Sequence, residues 1–167
     1  MSNKIMVDLE TLGVSAGARI LSIGAIVFND KFNIVDQFYA NLLPEPSTHI
    51  DERTREWWDK QPFKAKQILL KNQIPAINAL SNLTIMMQTN EVEEIWCNGA
   101  SFDFPILGYY FDLFKMERPW KFWNERDIRT MKNLFLVDVT FDGIPHYAID
   151  DCIFQLKQLK QICQKIK

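Results

Sequence analysis

The chain begins with three short segments rich in apolar and β-branched residues, which are separated by turn signals. These segments are residues 4–9, 20–28 and 32–42. Gly13 and Gly17 lie in the first connection, and Asn29 and Asp30 lie in the second. Short β-rich segments joined by glycines and Asn-Asp turns are typical of consecutive strands. This order predicts an antiparallel three-stranded meander.

The rest of the chain alternates between helical and strand patterns. Over residues 51–72, charged and apolar residues recur at helical spacing, and Pro62 divides this stretch into two predicted helices. Four further helices are predicted: over 75–88, from Ser101 to Phe114, over 127–135 with Asp127 as N-cap, and after Pro145. Two further strands are predicted over 93–99 and 121–128. This order predicts an α/β protein with a mixed five-stranded sheet flanked by helices. An RNase H-like fold satisfies this order. We expect a single domain over residues 1–167.

The composition narrows the class of protein. Apolar residues make up 47% of the chain and charged residues 24%, as in ordinary globular proteins and unlike disordered segments. The N-terminal residues lack a signal-peptide pattern, and no run approaches the roughly 20 apolar residues that cross a bilayer. We therefore expect a cytoplasmic protein without a membrane partner. The net charge of −2 gives no basic surface for a long duplex, although bound metal ions would add charge that this number omits.

Asp8 and Glu10 are the first candidate site residues. They lie two positions apart in the first predicted strand, where alternation places both side chains on the same face. They could share a cation there, or they could be a solvent-facing acidic pair. Their apolar neighbours, IMVDL, favour the cation, because a buried carboxylate is costly without a compensating charge.

Asp103, His146 and Asp151 are the other candidates. Asp103 follows a predicted strand at the start of a helix, where ligand-binding groups gather in α/β sheets. His146 and Asp151 are spaced as H-x4-D at the start of the last helix. The sequence leaves an alternative for each, because first-turn aspartates also complement the helix dipole and His146 could be a surface loop residue.

Together, four carboxylates and one histidine indicate a particular chemistry. Hard oxygen ligands suit Mg²⁺ or Mn²⁺, and two such ions can promote in-line hydrolysis of a phosphodiester. A histidine is suited to deprotonate the attacking water. The three cysteines, Cys97, Cys152 and Cys163, show no CxxC spacing, so we expect small buried side chains and no zinc site.

Five segments resemble those of a known family. They are VDLET at 7–11, REWWDKQ at 55–61, WCNGASFDFPIL at 96–107, KFWNERDIRT at 121–130 and HYAIDDC at 146–152. In this order they resemble the DnaQ-like (DEDDh) 3′-5′ exonuclease superfamily, and within it the branch of phage exonuclease A and bacterial 3′-5′ exoribonucleases.

The resemblance implies a role for each candidate. Asp8, Glu10, Asp103 and Asp151 would bind two divalent cations, Mg²⁺ or Mn²⁺, and His146 would be the general base. The enzyme would hydrolyse phosphodiester bonds at the free 3′ end of single-stranded DNA or RNA and release nucleoside 5′-monophosphates. Homodimers occur in the family, so we expect a homodimer.

Aromatic residues near these motifs are candidates for substrate binding, because bases stack on aromatic rings. The candidates are Trp57, Trp58, Phe102 and Phe104, together with Leu9 and Thr11 beside the acidic pair. Packing in the core is the alternative for the aromatic residues, and we expect it for Trp96. Arg126 is expected to form an ion pair, and Arg129 could contact phosphate.

Two other functions fit the same residues. The chain could be a noncatalytic nucleic-acid-binding module of the same fold, although degenerate nucleases usually lose a metal carboxylate and this one has all four. It could instead be a metal phosphohydrolase that acts on small nucleotides. The sequence does not distinguish DNA from RNA, because that choice depends on how a pocket treats the 2′-hydroxyl.

Overall fold

A computed structural model describes residues 3–166, so residues 1, 2 and 167 of the predicted domain lie outside the described residues. Within this range the strands are β1 (Asn3–Thr11), β2 (Ile20–Phe28), β3 (Ile34–Asn41), β4 (Val92–Cys97) and β5 (Glu125–Asp127). The helices are α1 (Glu52–Asp59), α2 (Phe63–Leu69), α3 (Ala76–Thr89), α4 (Asp103–Leu113), α5 (Ile128–Leu134) and α6 (Ala148–Ile166). No helix in this range is both long enough and apolar enough to cross a membrane.

The five strands form one mixed sheet in the order β3-β2-β1-β4-β5. β2 is antiparallel to both β1 and β3, whereas β4 is parallel to β1 and β5 is parallel to β4. The predicted meander and the mixed five-stranded sheet are therefore confirmed. Because β1 and β4 run parallel, the end of β1 and the loop after β4 meet at the same edge of the sheet.

β1 lies in the centre of the sheet and sends alternate side chains to two cores. Ile5 and Val7 belong to the core formed with α3 and α4, whereas Met6 belongs to the core formed with α6. By the same alternation, Asp8 and Glu10 point towards the face that α6 covers. The sequence pattern of β1 thus directs both carboxylates towards the last helix.

Gly24 allows α6 to lie close to this part of the sheet. It pairs with Asp8 across β1 and β2, and a Cβ atom at Gly24 would lie 2.5 Å from the backbone carbon of Ala148. Since that distance is shorter than any van der Waals contact, a side chain here would push the first turn of α6 outward. The glycine therefore keeps the start of α6 next to Asp8.

Two predicted elements differ from the structure. The strand predicted over 121–128 is a 3₁₀ turn, Phe122–Asn124, followed by only the three residues of β5. β5 is an edge strand, and within the described range it pairs only with residues 95–97 at the end of β4. Of the cysteines, Cys97 and Cys152 are buried as expected, but Cys163 is only half-buried.

Candidate active site

Three carboxylates converge where β1 meets α6. Asp8 and Glu10 come from β1, and Asp151 comes from the first turn of α6. Each offers an oxygen atom, and these three atoms all lie within 4.8 Å of one another. This is the spacing that a shared cation requires, and it would be strongly repulsive between ionised carboxylates without one.

Asp103 adjoins this group from the first residue of α4. Its side chain is 2% exposed, and its Oδ1 accepts a hydrogen bond of 3.3 Å from the backbone N–H of Leu9. Its charge contributes to the raised pKa of both Asp8 and Glu10, so it lies within electrostatic reach of both. The structure therefore brings together all four carboxylates that the sequence indicated, with Asp103 outside the closest group of three.

The pKa values of these carboxylates show how unfavourable their shared position is without a cation. Burial, followed by the charges of Asp103, Glu10 and Asp151, raises the pKa of Asp8 well above its usual range. Burial and the charges of Asp151 and Asp103 raise the pKa of Glu10 to about 8. Burial raises the pKa of Asp103 to about 7, and burial with the charge of Asp150 raises that of Asp151 to about 6.

These residues fit a divalent cation. Oδ2 of Asp151 is buried without a hydrogen-bond partner among residues 3–166, so it is an acceptor available to a ligand. The donor atoms are hard carboxylate oxygens, which Mg²⁺ and Mn²⁺ prefer. A cation would replace the repulsion between the carboxylates with attraction and would lower their pKa values.

His146 lies beside the carboxylates in the loop before α6. Its Nδ1 is 3.8 Å from Oε1 of Glu10. The backbone at His146 is left-handed, with φ of 62°, so the chain turns here and α6 begins only at Ala148. Partial burial lowers the pKa of the imidazole below its ordinary value of 6.5, which favours the neutral ring at neutral pH. A neutral imidazole can accept a proton.

Trp57 and Trp58 enclose the ring of His146. Their ring centroids lie 4.7 and 5.8 Å from that of His146, and both pairs are edge-on. Trp58 is buried, and its Nε1 donates a hydrogen bond of 2.9 Å to the carbonyl oxygen of Thr11. Trp57 is 42% exposed and faces solvent at the rim. The sequence suggested base stacking or core packing for these residues, but it did not predict their contact with the histidine.

The acidic cluster forms part of the wall of a cleft of about 710 Å³. Of the predicted substrate-binding residues, the cleft is lined by Leu9, Thr11, Trp57, Trp58 and Phe102. Phe104 does not line it: the side chain is 3% exposed and packs in the core, 6.4 Å between ring centroids from Trp120. Successive residues of a helix point about 100° apart, so Phe104 turns away from the cleft. Phe102 does line the cleft, and base stacking on it stays a prediction.

Several cleft residues were not predicted from the sequence. They are Gly13, Val14, Asp51, Arg53, Thr54, Asn98 and Gln155. Gln155 lies one turn after Asp151 on α6 and donates a hydrogen bond of 2.7 Å from Nε2 to Oδ1 of Asp8. Its i+4 spacing from Asp151 is a signal that could have identified it.

Arg129, the residue expected to contact phosphate, lines the cleft next to Asn98. Its Nη2 donates a hydrogen bond of 2.8 Å to the carbonyl oxygen of Asn98. A Cβ atom at Gly99, where φ is 134°, would lie 3.3 Å from the guanidinium carbon of Arg129. The arginine thus packs over the glycine at the edge of the cleft. Arg126 instead pairs with Glu94 at 3.6 Å, as expected.

The comparison with protein-family models decides the family. Residues 3–163 match the model of the 3′-5′ exoribonuclease Rv2179c-like domain. The chain belongs to this family. Its resemblance to DnaQ-like (DEDDh) 3′-5′ exonucleases and its class as a 3′-5′ exonuclease, a hydrolase, are thereby confirmed.

Relatives of this Rv2179c-like domain include a curated phage enzyme and solved nuclease structures. The exodeoxyribonuclease of Enterobacteria phage T4 is 27% identical over 93% of this chain and 86% of its own length. The nuclease domain of 3′hExo, a DEDDh family member, has a TM-score of 0.69 and 14% identity, covering 98% of this chain and 92% of that one. E. coli exonuclease I has a TM-score of 0.74 and 14% identity, covering 99% of this chain but only 41% of that one. These structures confirm the RNase H-like fold.

In this member of the Rv2179c-like family, two adjacent aspartates on α6 have different surroundings. Oδ2 of Asp150 accepts a hydrogen bond of 2.8 Å from the backbone N–H of Ile144, so Asp150 stabilises the loop before the helix. Asp151 instead joins Asp8 and Glu10. The H-x4-D spacing therefore correctly identified Asp151, and not Asp150, as the aspartate that faces the cluster.

Proposed function

We propose that the protein hydrolyses phosphodiester bonds at the free 3′ end of single-stranded DNA or RNA and releases nucleoside 5′-monophosphates. The observation that carries this proposal is the convergence of three carboxylates within 4.8 Å, with the ring of His146 beside them, on the wall of an open cleft. Asp8, Glu10, Asp103 and Asp151 would hold two divalent cations, Mg²⁺ or Mn²⁺.

Each group of the site has a role in this reaction. Two divalent cations, when bound, neutralise the developing charge and stabilise the leaving oxygen in the in-line displacement. The four carboxylates would hold these cations at the wall of the cleft. The imidazole of His146, neutral because its pKa is lowered, takes the proton from the attacking water. Trp57 and Trp58 keep the imidazole in place through their edge-on contacts.

The lining of the cleft supports a single-stranded substrate. Trp57 and Phe102 present aromatic surface on which unpaired bases can stack, at about 1–3 kcal/mol per base. Arg53 and Arg129 are the basic side chains that line it within the described residues, and they can contact phosphates. The net charge of −2 does not favour binding of a long duplex by overall charge.

Structures of the same fold agree with these proposals. E. coli exonuclease I has been solved with single-stranded DNA, and the 3′hExo nuclease domain with rAMP. A bound nucleoside monophosphate is consistent with the proposed product. The description of the family names an exoribonuclease, whereas the phage T4 relative is an exodeoxyribonuclease. The choice between DNA and RNA therefore needs direct measurement.

The test is incubation with matched 5′-labelled single-stranded DNA and RNA in Mn²⁺, in Mg²⁺ or in EDTA. We expect metal-dependent shortening from the 3′ end, and we expect a 3′-terminal phosphate to block it. Asp151→Asn should abolish activity, whereas Asp150→Asn, the matched control on the adjacent residue, should retain most of it. Degradation of a closed circle, products released from the 5′ end, or full activity in EDTA would contradict the proposal.

A further inference from the structure

Gln155 contacts the acidic cluster from a buried position on α6 at the wall of the cleft. Its side chain is 3% exposed, and its Nε2 donates the hydrogen bond of 2.7 Å to Oδ1 of Asp8. It lies four residues after Asp151, so both side chains extend from the same face of the helix. The helix α6 therefore places one carboxyl group, that of Asp151, and one neutral amide, that of Gln155, next to the acidic cluster.

The amide differs in chemistry from the other side chains around Asp8. Glu10, Asp103 and Asp151 also face this carboxylate, and each, when ionised, can only accept hydrogen bonds. Gln155 supplies a neutral N–H donor without adding charge. Among residues 3–166 it is the side chain that hydrogen-bonds to Asp8.

The orientation of the amide follows from this contact. Oε1 of Gln155 is buried and has no hydrogen-bond partner in the described part of the chain, so no other polar group decides which end faces Asp8. An amide turned the other way would place its oxygen against the carboxylate oxygen. The donor end therefore faces Asp8 whenever Asp8 is ionised.

We propose that Gln155 is a positioning residue that fixes the carboxylate plane of Asp8, so that its second oxygen faces Glu10 and Asp151 to bind a divalent cation. This inference deepens the proposed function, because it concerns a ligand of the same metal centre. A carboxylate held at one oxygen loses its freedom to rotate about the Cβ–Cγ bond. The geometry for the cation is then preorganised, as it is at other metal sites where outer partners orient the ligands.

The α6 helix also provides a matched control. Gln158 is a buried glutamine three residues further on, and its Oε1 likewise has no hydrogen-bond partner in the part of the chain that the structure describes. Gln158 does not line the cleft. Replacing either glutamine with methionine keeps an unbranched side chain of similar volume and removes the amide. A difference between the two variants therefore reports the contact with Asp8 and not a general change in α6.

The experiment is calorimetric titration of metal-free full-length protein with Mn²⁺, together with thermal unfolding in EDTA. For Gln155→Met we expect the Kd for Mn²⁺ to rise roughly tenfold or more, as for lost outer partners of metal ligands, and for Gln158→Met we expect no change. In EDTA both variants should unfold at similar temperatures. If Gln155→Met does not fold, Gln155→Leu provides the same comparison.

The outcomes separate this inference from the function on which it rests. If wild-type protein binds Mn²⁺ and Gln155→Met binds it within about twofold of wild type, the positioning role is wrong and the metal centre stands. Equal losses in the Gln155 and Gln158 variants would also overturn it, because the effect would then come from packing of α6. If wild-type protein binds no Mn²⁺, the proposed metal centre itself fails.

Discussion

Nδ1 of His146 lies 3.8 Å from Oε1 of Glu10, although the two residues come from opposite ends of the chain. The left-handed backbone at His146 turns the ring towards β1 before α6 begins. Histidine is among the residue types enriched in this conformation, so the turn costs little here. The proposed base therefore lies directly beside one of the proposed metal ligands.

Replacing His146 tests its role as general base. His146→Ala should reduce kcat by about 10²–10⁴-fold, the usual contribution of a general base, while Mn²⁺ affinity stays near that of wild type. At saturating Mn²⁺, the wild-type rate should fall as the pH drops below the lowered pKa of His146, and the variant should lack this decrease. The measurement is the pH dependence of kcat for both proteins. An unchanged rate and profile would mean that another group accepts the proton.

Trp57 should affect the chemical step as well as substrate binding, because its ring contacts His146 and its side chain also lines the cleft. Trp57→Ala should lower kcat and raise KM for an oligonucleotide, by about tenfold in kcat/KM if one stacking contact is lost. Trp57→Phe keeps an aromatic ring and should recover most of both. Trp123→Ala is the control, because Trp123 is exposed and does not line the cleft. A change in KM alone would show that Trp57 stacks on a base without positioning His146.

Much of the fold and of the acidic site could be predicted, because both depend on patterns local in the sequence. Alternation in β1 placed Asp8 and Glu10 on one face. The N-cap signal at Asp127 correctly indicated α5, because the Asp127 side chain accepts hydrogen bonds from the backbone N–H groups of Arg129 and Thr130. These features depend on residues within a few positions of one another.

The features that were missed depend on packing between distant segments. The contact of Trp57 and Trp58 with His146 requires α1 to pack against the loop before α6. The burial of Phe104 depends on the direction in which α4 leaves the sheet. No local pattern encodes these relationships.

Removing one acidic ligand should abolish activity without unfolding the protein. Asp8→Asn or Asp103→Asn removes a charge from a buried cluster that repels itself, so hydrolysis should fall below detection while the metal-free protein becomes no less stable. The measurements are turnover at saturating Mg²⁺ and thermal unfolding in EDTA. Either variant with wild-type turnover would show that the residue is not a metal ligand.

Arg129 is expected to bind a phosphate of the substrate. Arg129→Met should raise KM by about tenfold, the order expected for a lost hydrogen bond to a charged group. It should also reduce the slope of log affinity against log salt by about 0.7, the value for one phosphate contact on a single strand. Arg126→Met removes the same charge outside the cleft and should change neither quantity. Binding measured by anisotropy at several salt concentrations checks both, and equal slopes for the two variants would exclude the contact.

The raised pKa values of the acidic cluster predict how the stability of the metal-free protein depends on pH. Glu10 has a folded-state pKa of about 8, whereas a glutamate in the unfolded chain titrates near 4.3. Between these values the folded protein binds more protons than the unfolded chain, so the free energy of unfolding decreases as the pH rises. Asp103 and Asp151, with pKa values of about 7 and about 6, add to this decrease over the lower part of the same window.

In EDTA, the midpoint of thermal unfolding should therefore be lower at pH 8 than at pH 5. Each kcal/mol lost from the free energy of unfolding should lower the midpoint by roughly 2–4 °C for a domain of this size. Mn²⁺ added at pH 8 should restore the midpoint, because a cation neutralises the ionised carboxylates that destabilise the metal-free form. Glu10→Gln should flatten the pH dependence, whereas Glu117→Gln, at an exposed position, should leave it unchanged. Calorimetry of the three proteins across this range provides the test. A wild-type midpoint in EDTA that rises from pH 5 to pH 8 would show that the carboxylates are not held together as the structure places them.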